Sequence, residues 1–299
     1  MNAWGRRGNP SRRKALQAQQ RLGARNAFAG VSLLCLSLLL TPAALAQRTS
    51  LKPGWNMFTP QQDIEVGKRA ALDAEKQLPL CNAPKVDVYL TELGIRLVAK
   101  LPKGGVQYPF EFHCVNDKAI NAFALPGGYV FINRGAIEVA DNEAQLAAVM
   151  AHELSHVALR HGTNQATKAQ AAEGFLGIAG GIFGGSTGGA LLTQLGAFAA
   201  GGVLLRYSRS AESQADVMGT QVLYDAGYDP RAMVELMRIL KEAGGASRRP
   251  EFLNTHPDPG NREQAIEAEI ARLYPNGVPA DLTRGNEGAF ARIRERVGG

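Results

Sequence analysis

The run Ala147-Ala-Val-Met-Ala-His152-Glu153-Leu-Ser-His156-Val-Ala-Leu159 sets two histidines and a glutamate inside an otherwise apolar stretch. Residues four apart lie one above the other on a helix, so both imidazoles can reach one ion from one face. Glu153 projects beside them, close enough to serve a water at that ion without being a ligand. Zinc lowers the pKa of water towards ~7, and a carboxylate in that place can take the proton as the water attacks a carbonyl. A chance match on a solvated helix is the competing reading. It would carry more charge than Ala147–Ala151 and Val157–Leu159 do. Two histidines and a glutamate buried together need something to satisfy their polarity, and a metal is the simplest partner.

Catalytic zinc takes three protein ligands and keeps one position open. His161 has the wrong spacing for the third: Leu159 and Gly162 stand where a metzincin pattern needs glycine and histidine. His161 reads instead as a histidine at the helix C-terminus, favoured there by the helix dipole. Arg209-Ser-Ala-Glu212-Ser-Gln-Ala-Asp216 serves better. Glu212 and Asp216 share one helix face, so Glu212 can bind the ion while Asp216 accepts from the outer nitrogen of a ligand histidine. An exposed acidic face is the bland alternative.

Working outward, Thr59-Pro60-Gln61-Gln62 combines an N-cap, a proline at the first helical position and a glutamine at N3, and predicts a helix to about Leu78. Val86, Leu90, Leu93 and Leu97 predict a second, from Pro84 to about Lys100. Phe110 to Cys114 alternates like a strand, and residues 121–125 and 129–133 flank Pro126-Gly127-Gly128 as a hairpin. The zinc-binding helix is expected to run from an Asp141 cap to Gly162 as its left-handed stop. Further helices are expected over 208–226, from Asp229-Pro230 to Gly244, and over 260–274. Residues 275–299 read as a charged tail with one short helix. The fold class is therefore α+β, mainly helical, with a small sheet and a long metal-binding helix.

These blocks together resemble the BepA/HtpX/Oma-type gluzincins, peptidase family M48. The resemblance rests on His152-Glu-x-x-His156, on Tyr207-Ser-Arg-Ser-Ala-Glu212-Ser-Gln-Ala-Asp216, on Asn121 to Gly135, and on Thr255-His256-Pro257-Asp258-Pro259 with Arg262. It spans about Thr59 to Ile270 and implies a gluzincin-type zinc endopeptidase, with one zinc held by His152, His156 and Glu212 and with Glu153 as base. It implies, further, substrates among misfolded or unassembled envelope proteins. A zinc-stabilised chaperone with weak or latent peptidase activity is the alternative. The chain reads as a short exported member, without the four membrane helices of the HtpX branch or the tetratricopeptide repeats of BepA. His256 either assists catalysis or caps the metal, or is structural. Arg262 orients its loop or lies on the surface. The segment Asn121, Ala122, Phe123, Ala124 either binds substrate by adding a strand or is an interior strand.

Composition agrees with one globular domain at 47–274, being 45% hydrophobic and 20% charged. The net charge of +6 does not indicate nucleic acid. Residues 1–46 hold seven basic and no acidic residues, and the remainder carries 26 basic against 27 acidic. That basic start leads into the apolar run Ala27 to Leu40 and then Ala44-Leu45-Ala46, the pattern of a signal peptide cleaved after Ala46; an uncleaved anchor is the alternative. Export to the periplasm follows. Cys81 and Cys114 remain in the mature chain, as a disulfide or as two separate buried thiols. Residues 171–205, rich in Gly and Ala, read as a flap near the site that touches membrane surfaces, or as a packed helical pair.

Overall fold

The computed structural model describes residues 48–102, 107–180, 207–244, 251–257 and 260–298. The expected signal segment, and residues 181–205 of the Gly/Ala-rich stretch, lie outside them. Among the described residues no helix is long and apolar enough to cross a membrane.

The expected capping box is formed. Thr59 Oγ1 accepts from the Gln62 N–H at 3.2 Å, and the Thr59 N–H donates to the Gln62 side chain at 2.7 Å. It opens α1 (Pro60–Gln77). In α2 (Pro84–Val98) the four residues at helical spacing, Val86, Leu90, Leu93 and Leu97, are all buried. Strands β1 (Glu111–Val115), β2 (Ala122–Leu125) and β3 (Tyr129–Asn133) make one sheet in the order β1-β3-β2. β2 and β3 are the expected hairpin, turned through Gly127 and Gly128 at φ +80° and +106°. β1 joins β3 in parallel. One face of the sheet, with Phe112, Cys114, Val130 and Ile132, meets α2 and the later helices. The other, with Phe123, Tyr129 and Phe131, meets Val66, Ala70 and Ala74 of α1. Burial on both faces is why β2 and β3 read as unbroken apolar runs. α1 comes so near the hairpin turn that a Cβ on Gly67 would lie 1.6 Å from the Pro126 carbonyl oxygen. Cys81 and Cys114 form a disulfide that fastens the α1–α2 connection to β1.

After α3 (Arg134–Val139) comes α4 (Glu143–Ala158), which is buried along nearly its whole length. Both its ends differ from expectation. The cap is Asn142, whose side chain accepts from the Gln145 N–H at 3.1 Å. The stop is Arg160 at φ +56°, not Gly162, and α5 (His161–Gly180) begins directly after it. A left-handed arginine is uncommon. Asp63 of α1 holds this one, accepting from Arg160 Nε at 2.6 Å and from Nη2 at 3.0 Å. A long-range clamp has overridden the local glycine signal.

α6 (Arg209–Asp225) and α7 (Arg231–Gly244) pack against α4. A Cβ on Gly219 would come within 3.3 Å of the α4 backbone at Ala151 and His152, so glycine lets α6 lie close beside that turn of α4. The short α8 (Glu251–Thr255) precedes α9 (Arg262–Leu273), which packs on α6 and α7. The last segment is more ordered than a charged tail. α10 (Glu287–Gly298) buries Phe290, Ile293 and Val297 at helical spacing and packs on α2 and α3. Ahead of it, the Arg284 carbonyl accepts the Ala144 N–H at 3.0 Å and so caps the start of α4.

Candidate metal centre

α4 carries His152, Glu153 and His156; α6 carries Glu212 and Asp216; His256 follows α8, and Arg262 opens α9. All seven are buried. His152, His156, Glu212 and His256 each bring one ligand atom within 4.8 Å of all the others. The Nε2 atoms of His152 and His156 are 3.1 Å apart. His152 Nε2 is 3.4 Å from Glu212 Oε2, and His156 Nε2 is 3.6 Å from Glu212 Oε1. His256 Nδ1 is 3.3 Å from His152 Nε2 and 3.1 Å from Glu212 Oε1. Nitrogen and oxygen ligands at about 2.0–2.2 Å from a tetrahedral ion stand roughly 3.3 Å from one another. The printed separations, 3.1 to 3.6 Å, are of that size, with both oxygens of Glu212 turned toward the histidines. Three imidazole nitrogens and one buried carboxylate converge there, and Glu212 Oε2 has no hydrogen-bond partner, although Arg262 Nη1 lies 3.3 Å away as its counter-charge. The donor set fits a metal ion.

The surroundings hold these groups in place. Asp216 Oδ1 lies 3.0 Å from His152 Nδ1, the outer nitrogen, as expected. Arg262 grips Asp216 with two hydrogen bonds, at 2.7 and 2.6 Å, and donates to the His256 carbonyl at 3.2 Å. It is buried, and the surface reading of Arg262 is excluded. Burial favours the neutral carboxyl of Asp216, but Arg262 and His152 hold it below the usual carboxylate range. Burial likewise opposes the charge of Glu212, yet His256, His152 and His156 keep it well down. Burial draws His152 down, and Asp216 and Glu212 outweigh it, raising its pKa to about 9. Burial lowers His156 well below its ordinary value, and neighbouring histidines add to this.

Glu153 stands apart from the ligands. Burial raises its pKa, tempered by His256, His152 and the backbone of Ala124 in β2. His256 Nε2 is 3.5 Å from Glu153 Oε1. β2 lies at the sheet edge and packs on α4. The Asn133 N–H donates to the Asn121 carbonyl at 3.0 Å, so odd-numbered residues of β2 pair with β3, and the main chain of Ala122 and Ala124 faces outward. The side chains there are buried. Phe123 stacks on Phe131 at 4.9 Å, and Asn121 donates to Glu251 at 3.3 Å. Ala122 is fully buried and Ala124 is 8% exposed, so the outer edge of β2 is covered.

Four residues escape the sequence reading. His161 does not sit at the end of α4: its Nδ1 lies 3.0 Å from His156 Nδ1, and its Nε2 lies 3.1 Å from Gln214 Oε1. Burial lowers the His161 pKa to about 4. Tyr207 stacks on His156 with ring centroids 3.9 Å apart, and Phe252 on His256 at 4.3 Å. The only sequence signal for Tyr207 is its place ahead of the Glu212 motif. His161 is hidden because a straight helix puts the fifth residue on about 140° away; the turn at Arg160 brings it back.

Comparison with known proteins agrees with this geometry. Residues 84–270 match Peptidase family M48. The beta-barrel assembly-enhancing protease of Escherichia coli K12 is 37% identical over 213 residues, which cover 67% of this chain and 42% of that protein. Its namesake in Yersinia pestis is 34% identical over 292 residues, covering 88% and 57%. The mitochondrial metalloendopeptidase OMA1 of Schizosaccharomyces pombe is 31% identical over 214 residues, covering 68% and 61%. The chain thus spans about half the length of these bacterial relatives. With the ligand helix, the glutamate of α6 and the histidine after α8 all inside the matched stretch, the chain belongs to peptidase family M48.

Proposed function

We propose that the protein is a periplasmic zinc endopeptidase, exported by a signal peptide cleaved after Ala46, that hydrolyses peptide bonds in misfolded or unassembled envelope proteins. The observation that carries this reading is the converging set His152, His156, Glu212 and His256 with Glu153 alongside. Zinc suits such nitrogen and oxygen ligands and, when bound, supplies Lewis-acid chemistry that acidifies water and polarises a carbonyl. Glu153 takes the proton of the attacking water and returns it to the departing amine. Its burial suits a base whose affinity for a proton is raised. An extended substrate adds to the edge of β2 at Ala122 and Ala124, which are buried in this structure, so what covers that edge moves aside first; the mode tolerates many sequences. Envelope substrates, including barrel proteins, are suggested by the names of the relatives, and residues 171–205 are the candidate contact with a membrane surface.

A second reading, a latent enzyme acting chiefly as an assembly factor, is favoured by His256. Its Nδ1 takes the corner that a working site keeps open. On this reading His256 withdraws when substrate arrives and then donates to the developing oxyanion.

Metal content of the purified protein tests the core of the proposal. One zinc per chain is expected, lost in His156→Ala and Glu212→Ala. Glu153→Gln keeps the zinc and loses about 10²–10⁴-fold in cleavage of an unfolded protein. His256→Ala keeps zinc but changes cleavage. If neither zinc affinity nor cleavage moves, His256 is structural; a zinc-free wild type sinks the enzyme reading.

A further inference from the structure

The two ligand histidines of α4 are anchored by different means. His152 has Asp216 at its outer nitrogen. His156 has none of the carboxylates there; it has His161. For His156 Nε2 to present a lone pair to the ion, Nδ1 must carry the hydrogen. His161 Nδ1, 3.0 Å away, must then be a bare acceptor, since two donors face to face repel. That puts the His161 hydrogen on Nε2, where an acceptor is required, and Gln214 Oε1 lies 3.1 Å away. Every hydrogen bond in the row has one donor and one acceptor, and only one assignment of tautomers achieves it.

We infer that His161 is a positioning residue for the metal site. It fixes the tautomer and ring direction of His156 through a neutral row, His156–His161–Gln214, fastened to α6. This rests on the metal reading above.

Two features of the fold serve the row. The left-handed turn at Arg160, clamped by Asp63, swings His161 back under His156. α6 supplies Glu212 to the ion, Gln214 to His161 and Asp216 to His152, so a single stretch of helix sets both the ion and the two ring directions. Tyr207, stacked on the His156 ring, closes off its flat side.

The test is a zinc competition titration against a chromophoric chelator, using the full chain. His161→Phe keeps a flat ring but loses the acceptor. It should weaken zinc binding about 10–100-fold, the usual cost of losing an outer partner of a ligand. His161→Asn places an amide oxygen near the lost Nδ1 and should recover most of that affinity. Gln214→Leu, which touches no ligand, should weaken binding less, in the same direction, and it keeps the test alive should the His161 variants fold poorly. Cobalt-loaded protein adds a second readout, because a turned His156 ring shifts the visible absorption. Zinc affinity of His161→Phe within threefold of wild type overturns the inference. So does a folded His161→Asn that binds as weakly as His161→Phe. A wild type that binds no zinc overturns the metal reading itself, and this inference with it.

Discussion

His152 and His156 stand one helical turn apart and aim at the same point, but their outer nitrogens face different chemistry. Behind His152 lies a charged chain, Asp216 and Arg262, wholly buried. Behind His156 lies a neutral one, His161 and Gln214. A buried charge needs its counter-charge, so the first side is strong and brittle: removing one member strands the other. The second side can lose a member and leave only an unmet hydrogen bond. The comparison teaches that one metal site can be held by two supports that fail differently.

Arg262→Met breaks the charged side outright. It leaves Asp216 and Glu212 buried without their cation, and the metal-free protein should lose about 3–5 kcal/mol in urea unfolding. His161→Phe should lose much less in the same experiment, about 1–2 kcal/mol. Equal losses would erase the distinction between the two sides.

Stripping the metal affects both sides together. Zinc at a thousandfold excess over its Kd stabilises by about 4 kcal/mol, so chelation should lower Tm by roughly 8–16 °C in a domain of this size. A differential scan with and without chelator reads this directly.

The pH profile of the metal-free protein separates the sides again, at smaller amplitude. The folded pKa of His152 is raised to about 9, above its unfolded value of ~6.5. Its stabilising contribution is full below the unfolded pKa and is lost as pH rises through about 9. His156 is depressed, and His161 is lowered to about 4. Folding keeps these two neutral, so their cost grows as pH falls below ~6.5. Stability of stripped protein should peak near pH 6.5, with Asp216→Asn flattening the alkaline limb and His161→Phe the acid limb. Urea midpoints from pH 5 to 9.5 check both. A flat profile would mean that neither row carries the electrostatics assigned to it.

The charged side is also the more legible in sequence. Glu212 and Asp216 lie at i and i+4 on one helix, as do His152 and His156, and helical spacing converts directly into a shared face. The capping box at Thr59, the buried stripe of α2 and the glycine hairpin are local signals of the same kind. What stays hidden depends on contacts far apart in the chain. Asp63 and Arg160 are 97 residues apart, and their clamp moves the helix stop from Gly162 to Arg160. With the stop misplaced, His161 reads as an end-of-helix histidine, and nothing local marks Gln214 as its partner. The parallel pairing of β1 with β3 is set by packing and has no local signature. α10 is a different case: Phe290, Ile293 and Val297 are spaced as a helix face, and the charges around them mask it.

Gly67 lies far from the metal-site residues in sequence, yet it sets how closely α1 approaches the turn between β2 and β3. Both atoms of its closest approach would be fixed by the backbone, so no rotamer can relieve a side chain there. Any larger residue must push the Pro126 turn outward, and β2 with it, drawing Ala124 away from Glu153. If β2 receives substrate as proposed, such a variant should lose cleavage before it loses metal. A screen for inactive proteins that still carry zinc should therefore recover substitutions on the first helix, in a segment that holds none of the chemistry.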